Sequence, residues 1–167
     1  GKSALANNTT ASNNTAVGRS ALDANTTGSN NTSVGMESLI SNTTGTEHAA
    51  LGFQALKSNT TGHSSVAVGN EALENNTTAS NNTAVGTKSL RANTTGTSNT
   101  AVGYQAGVSV TTGAENTYIG LQAGNDGTTG SNNTAVGSAA GIGLTTGGNN
   151  TLLGNDAGRS GSPGGEV

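Results

Sequence analysis

The chain has no cysteine and no tryptophan, one phenylalanine, one proline, one methionine and two tyrosines. Without cysteine there is neither a disulfide framework nor a thiolate metal site. Aromatic residues make up 2% and charged residues 9% of the 167 residues, whereas an ordinary globular domain carries roughly 25% charged residues. Large side chains are too few to fill a compact enzyme core of this length. Disorder fits no better, because disordered segments are usually charged and rich in Pro, Glu and Lys. The six Lys and Arg residues are scattered and the net charge is −3, so no nucleic-acid partner is expected. No apolar run approaches the roughly 18 residues of a membrane span, and no membrane insertion is expected. What is present is mostly Asn, Thr, Ser, Ala and 27 glycines.

Those residues recur with a strict period. Gly18, Gly35, Gly52, Gly69, Gly86, Gly103, Gly120, Gly137 and Gly154 each follow a short apolar pair, Gly1 shares their phase, and every interval is 17 residues. Numbering each unit from its glycine, position four is always Ala or Ser, and positions nine and ten are Thr-Thr in all nine full units. Position five is Leu in the first six units (Leu5, Leu22, Leu39, Leu56, Leu73, Leu90) and Gly afterwards (Gly107, Gly124, Gly141, Gly158). Position fourteen is Asn in seven of nine units, including Asn14, Asn31, Asn82, Asn99 and Asn133; His48 and Ser65 are the exceptions. Position seventeen is always Val, Leu or Ile, as in Val17, Val34, Val68, Val85, Val102 and Val136.

A period without insertions excludes loops on a globular scaffold, which tolerate length changes. Tetratricopeptide and ankyrin repeats are about twice as long, and helices reject glycine at this density. The segment Asn-Thr-Ala-Val, β-branched and bounded by Gly, reads as a strand. Thr-Thr followed by Gly reads as a second short strand and a turn. The expected fold is therefore all-β: a β-solenoid or β-roll of 17-residue coils, stacked at the strand spacing into a rod of roughly 45–50 Å. Residues 1–102 form coils of a Leu sub-type, 103–157 coils of a Gly sub-type with a changed cross-section near residue 103, and 158–167 a frayed end or linker. Pro163 at position ten cannot donate to a ladder.

Side chains alternate along a strand. Position seventeen is expected to face the interior with the Leu of position five, and position sixteen, usually Ala, to face outward against a neighbouring chain. So few large apolar side chains per coil cannot offset the ordering of 17 residues. Coil-to-coil backbone bonds, stacked Asn and Thr side chains, and association of several chains along the rod must contribute. The glycine, Val, Leu and Asn columns are the candidate structural ladder.

The unit N-T-A-V-G-x-x-A-L/G, as in Asn14-Thr15-Ala16-Val17-Gly18 and Asn133-Thr134-Ala135-Val136-Gly137, resembles the N-S-V-A-I-G repeats of YadA-type trimeric adhesin heads. It is still more similar to the N-T-A-x-G-x-x-A repeats of phage tail fibres and tail-fibre-like bacterial surface fibres. Asn99-Thr100-Ala101-Val102-Gly103-Tyr104-Gln105-Ala106-Gly107 is the best single match. The resemblance extends through Ala157, although the YadA-type period is shorter. It implies a parallel homotrimer of β-rolls in an extracellular fibre, on a virion or a cell surface. There it serves as a rigid spacer or adhesion surface whose partner is a cell-surface receptor or glycan.

Sites for chemistry are sparse. His48 and His63 lie in neighbouring units without a supporting carboxylate or cysteine cluster, and read as solvated polar replacements in the ladder. The acidic residues lack the G-G-x-G-x-D phase of calcium-binding rolls, and a rod without inserted loops offers no cleft for paired carboxylates. Gly158 to Gly165 lacks the Lys of a phosphate loop. No enzyme activity, metal or cofactor is expected. Sequons such as Asn25-Thr26-Thr27 and Asn93-Thr94-Thr95 are by-products of the repeat. Phe53, Tyr104 and Tyr118 read as isolated packing or surface aromatics. The Thr-Thr rows raise one alternative, an ice-binding solenoid, although an adjacent pair points only one Thr per coil outward.

Overall fold

The computed structural model describes residues 1–158 and is a parallel β-solenoid with no helix among them. The expectation for 159–167 lies outside the described residues. Each coil contributes one three-residue strand: β1 Thr15–Val17, β2 Thr32–Val34, β3 Ala49–Leu51, β4 Val66–Val68, β5 Thr83–Val85, β6 Thr100–Val102, β7 Thr117–Ile119, β8 Thr134–Val136 and β9 Thr151–Leu153. The nine form one sheet in chain order. Every neighbouring pair is parallel and offset by one repeat, as in Thr15↔Thr32 and Val136↔Leu153. The Thr-Thr pair is not a second strand: positions nine and ten sit in bends.

Backbone bonds join the coils well beyond the strands. The Gly35 N–H donates back to the Val17 carbonyl at 2.8 Å, and the Leu22 N–H donates forward to the Ser38 carbonyl at 3.1 Å. At position nine one carbonyl takes three donors. Thr43 O accepts the N–H groups of Thr26 and Thr27 at 3.0 and 3.2 Å and the Thr26 hydroxyl at 3.0 Å. That hydroxyl-to-carbonyl bond recurs along the rod from Thr9 to Thr128. Short turns close each coil, such as Asn25 N–H to Leu22 O at 3.3 Å. They place positions three, five and thirteen at positive φ, including Glu37 at 60°, Leu22 at 52° and Asn30 at 62°. A left-handed leucine costs about 1–2 kcal/mol, which its burial offsets at about 1.5–3 kcal/mol.

The strand faces are reversed from expectation. Position sixteen points inward: Ala50, Ala67, Ala84, Ala101 and Ala135 are fully buried. Position seventeen points outward, with Val17 55% and Leu153 62% exposed. The interior has no room for a branched side chain at position sixteen, because Leu22, Leu39, Leu56, Leu73 and Leu90 already fill it from the opposite wall. Only alanine, or Ser33 with its hydroxyl donating to Ser38 O at 2.9 Å, fits between.

The Leu-to-Gly switch is the other solution to the same packing problem. The backbone ladder crosses it unchanged: Leu90 N–H donates to Ala106 O at 3.0 Å and Gly107 N–H to Ala123 O at 2.8 Å. Gly107 and Gly124 keep the positive φ of 60°, where glycine is unstrained. The vacated volume is taken from the strand side by the buried Tyr118. A Cβ on Gly124 would fall 2.3 Å from its ring. Leu152 fills the last coils likewise, 2.3 Å from where a Gly158 Cβ would stand.

The position-one glycine column combines close coil approach with a backbone that ordinary side chains avoid. A Cβ on Gly86 would lie 2.3 Å from the Gly103 carbonyl oxygen, at a φ of +133°. A Cβ on Gly62 meets the Ala79 carbonyl equally closely, at 2.3 Å. Its φ is not positive, and the equivalent Ala79 carries a buried methyl. Gly86→Ala is expected to destabilise the chain by about 3 kcal/mol or more, from clash plus strain, and Gly62→Ala by much less, in denaturant titrations of the two variants.

Candidate functional site

The coil interior holds two columns of buried amides. At position eight, Asn25, Asn42, Asn59, Asn76 and Asn93 are fully buried. Each side-chain nitrogen donates to the carboxamide oxygen one coil back: Asn42 to Asn25 at 2.8 Å, Asn59 to Asn42 at 2.8 Å, Asn76 to Asn59 at 3.0 Å and Asn93 to Asn76 at 2.9 Å. Each also donates to the position-eleven carbonyl of its own coil, as Asn76 does to Ala79 at 3.0 Å. The column ends where Val110 replaces Asn, and there the Asn93 Oδ1 has no hydrogen-bond partner.

At position fourteen the amide bridges coils differently. The Asn82 Nδ2 donates forward to Gly96 O at 2.8 Å, and its Oδ1 accepts the Asn99 N–H at 2.8 Å. Asn14, Asn31, Asn99, Asn116 and Asn133 repeat both bonds. His48 is not solvated, as the sequence suggested, but 2% exposed. Its Nε2–H donates to Gly62 O at 2.7 Å and its Nδ1 accepts the Ser65 N–H at 3.3 Å. The neutral ring thus copies the donor and acceptor of an Asn amide. Burial holds its pKa below the usual imidazole value. His63, in contrast, is exposed, with Nδ1 3.3 Å from the Thr46 N–H.

The other candidate residues divide by surface. Gly18, Gly35, Gly52, Gly69, Gly86, Gly103, Gly120 and Gly137 form a column of close coil approach at positive φ. Leu22, Leu56, Leu73 and Leu90 are buried. Val17, Val34 and Val102 are exposed, while Val68, Val85 and Val136 are half-buried on the same outer face. The sequon asparagines Asn25 and Asn93 are inaccessible. Tyr118 is buried and hydrogen-bonded to Asn133, burial pushing its phenol pKa up, whereas Tyr104 is exposed.

The outer surface has three distinct stripes. The strand face carries positions fifteen and seventeen and no charged residue in any of the nine strands. Met36, Tyr104 and Leu121 widen its apolar edge. A second stripe exposes the position-ten threonines, from Thr10 to Thr146. Among the described residues none of their hydroxyls is engaged, while those of position nine serve the ladder. A third stripe alternates charge. Arg91 Nε lies 2.7 Å from Glu74 Oε2 and 3.0 Å from Glu71 Oε2, with Lys57 and Lys88 each 4.0 Å from a carboxylate. Among the described residues no group of three or more His, Asp or Glu is placed to hold a metal ion.

Sequence reasoning missed the outward Val column and the second hydroxyl column at position twelve. The alternation Thr-x-Ser/Thr, as in Thr27-Gly28-Ser29, was the available signal for the latter. The fold is that of a tandem-repeat parallel β-solenoid. Compared with known proteins, the chain matches no family model, no curated protein and no solved structure.

Removing Asn59 leaves the oxygen of Asn42 and one proton of Asn76 without partners, whereas Asn93 already sits at a column end. Asn59→Val is therefore expected to cost about 2–4 kcal/mol, and Asn93→Val distinctly less, by equilibrium unfolding of the purified variants.

Proposed function

We propose that this chain is a structural segment of an extracellular fibre, borne by a virion or a bacterial surface. It acts as a rigid spacer with a surface available for adhesion, several copies packing side by side along the rod. The observation that carries this reading is the outward column Val17, Val34, Leu51, Val68, Val85, Val102, Ile119, Val136 and Leu153, apolar in every coil and free of charge. Large contiguous apolar patches on soluble chains mark interaction surfaces. A one-coil repeat on one chain finds its matching repeat on a second parallel copy. Three copies is the number that the likeness to trimeric fibre repeats favours. The in-register ladder supports the spacer role, because bending the rod strains bonds in every coil.

The chain is expected to run as a discrete homo-oligomer in light scattering coupled to size exclusion. Val102→Lys combined with Ile119→Lys should shift it to monomer while far-ultraviolet circular dichroism stays unchanged. A monomeric parent chain would exclude the parallel multi-chain fibre.

A second reading, ice binding, draws on the unengaged hydroxyls of position ten. Position twelve, beyond the buried position eleven, adds Ser12, Ser29, Thr46, Ser80, Thr97 and Ser131 as a second column. Threonine is stiff at χ1, so such hydroxyls hold a repeat of about 4.8 Å along the rod. Of these columns, the serines at 29, 80 and 131 already accept backbone N–H bonds, and His63 interrupts the row. The spacer reading therefore stands first. Thermal hysteresis of the purified chain separates the two: ice binding requires it and the spacer reading expects none.

A further inference from the structure

We propose that the rod carries an acid-labile joint between its third and fourth coils, centred on His48, at which the stack opens locally while the remaining coils stay closed. The proposal is independent of the fibre reading and rests on how the position-fourteen column is built. In the coils with Asn at this position the amide donates forward to a carbonyl and accepts the next N–H, as at Asn31, Asn82, Asn99, Asn116 and Asn133. An amide has no proton to gain between about pH 5 and pH 8, whereas an imidazole does.

At His48 both ring nitrogens are committed, Nε2–H to Gly62 O at 2.7 Å and Nδ1 as acceptor from the Ser65 N–H at 3.3 Å. Protonation places a hydrogen on Nδ1, facing the Ser65 N–H, so donor meets donor. The Asn59 Nδ2, a donor group, lies 3.1 Å from Nε2. The Gly62 carbonyl is then the one acceptor left to an imidazolium at a site that is 2% exposed. Two ionisable groups act on the ring: His63, whose own protonation opposes the charge, and Glu47, which favours it. Burial is the largest influence and holds the ring neutral.

The next rung lacks one of the two amide bonds. Ser65 replaces Asn: its Oγ still accepts the Asn82 N–H at 3.2 Å, but its hydroxyl donates to His63 O in its own coil at 3.2 Å instead of forward to the next coil. Ala79 O consequently receives the Asn76 side chain but no donor from position fourteen. A charged ring that leaves the column therefore disturbs coils already short of one side-chain donor. An imidazole in the opened joint titrates near 6.5, and in the closed stack lower. The opened form binds more protons as pH falls below about 6.5, and closure weakens from there downward.

Hydrogen exchange by mass spectrometry on the whole chain, corrected for intrinsic rates, tests this between about pH 8 and pH 5. Peptides covering residues 46–66 should lose protection on acidification while those covering 99–133 keep theirs. His48→Asn, which installs the residue of seven other coils, should abolish the difference, and His63→Asn should retain it. Direct titration of the His48 ring by nuclear magnetic resonance, on the unsubstituted chain, should give a value below that of a free imidazole. Protection of 46–66 that does not change with pH, loss spread evenly along the rod, an acid effect surviving in His48→Asn, or a ring titrating at the free value would each overturn the joint.

Discussion

A buried carboxamide must satisfy two N–H groups and a carbonyl, and inside this coil the partners for them are its own image one repeat away and the carbonyl of a nearby turn. Asn42, Asn59 and Asn76 each meet that demand by donating to the preceding Asn and the position-eleven oxygen and accepting from the following Asn. The requirement ties the coils together more strictly than apolar packing does. Leucine and alanine tolerate small slips, but an amide displaced by a residue would be left unpaired in a dry interior, at about 1–3 kcal/mol for each lost bond. The 17-residue period sets each position beside its equivalent in the adjoining coil, as the residue-for-residue strand pairing shows.

The same constraint explains the strain the coil accepts. Turns with positive φ at positions three, five and thirteen recur along the rod, because closing so small a loop requires backbone that ordinary residues avoid. Where position five is Leu, its burial offsets the strain. Where it is Gly, the strain disappears and the volume is supplied from the strand by Tyr118 or Leu152. The two coil sub-types are thus two fillings of one backbone, and Val110 in place of the buried Asn leaves the orphaned Asn93 oxygen as the mark of the junction.

An interior filled by amides, alanines and the position-five leucines leaves the position-seventeen side chains outside, and this shapes what the rod presents. An uncharged apolar strand face and a hydroxyl file run in parallel along the molecule, and a mixed-charge stripe follows them as far as Arg91. They are segregated because each repeat position keeps its direction through every coil. A surface of that kind suits a partner with the same repeat, which is why packing of like rods is the favoured reading. His48 is the one place where the column contains a group that can change its charge near neutrality.

The strand at Thr-Ala-Val, the in-register stacking and the buried leucines were legible from periodicity, because a fixed spacing of glycines and β-branched residues admits few other folds. The turn residues at Thr-Thr were misread as a strand, since β-propensity reports local preference and the neighbouring coil supplies hydroxyl acceptors that hold a bend. Alternation established that Ala101 and Val102 lie on opposite faces, but not which face is inside. That depended on the width of the closed coil. Leu90 and the Asn82 and Asn99 amides already occupy the interior, and only a methyl group fits beside them, so volume available in three dimensions, rather than hydrophobicity along the chain, turned the valines outward.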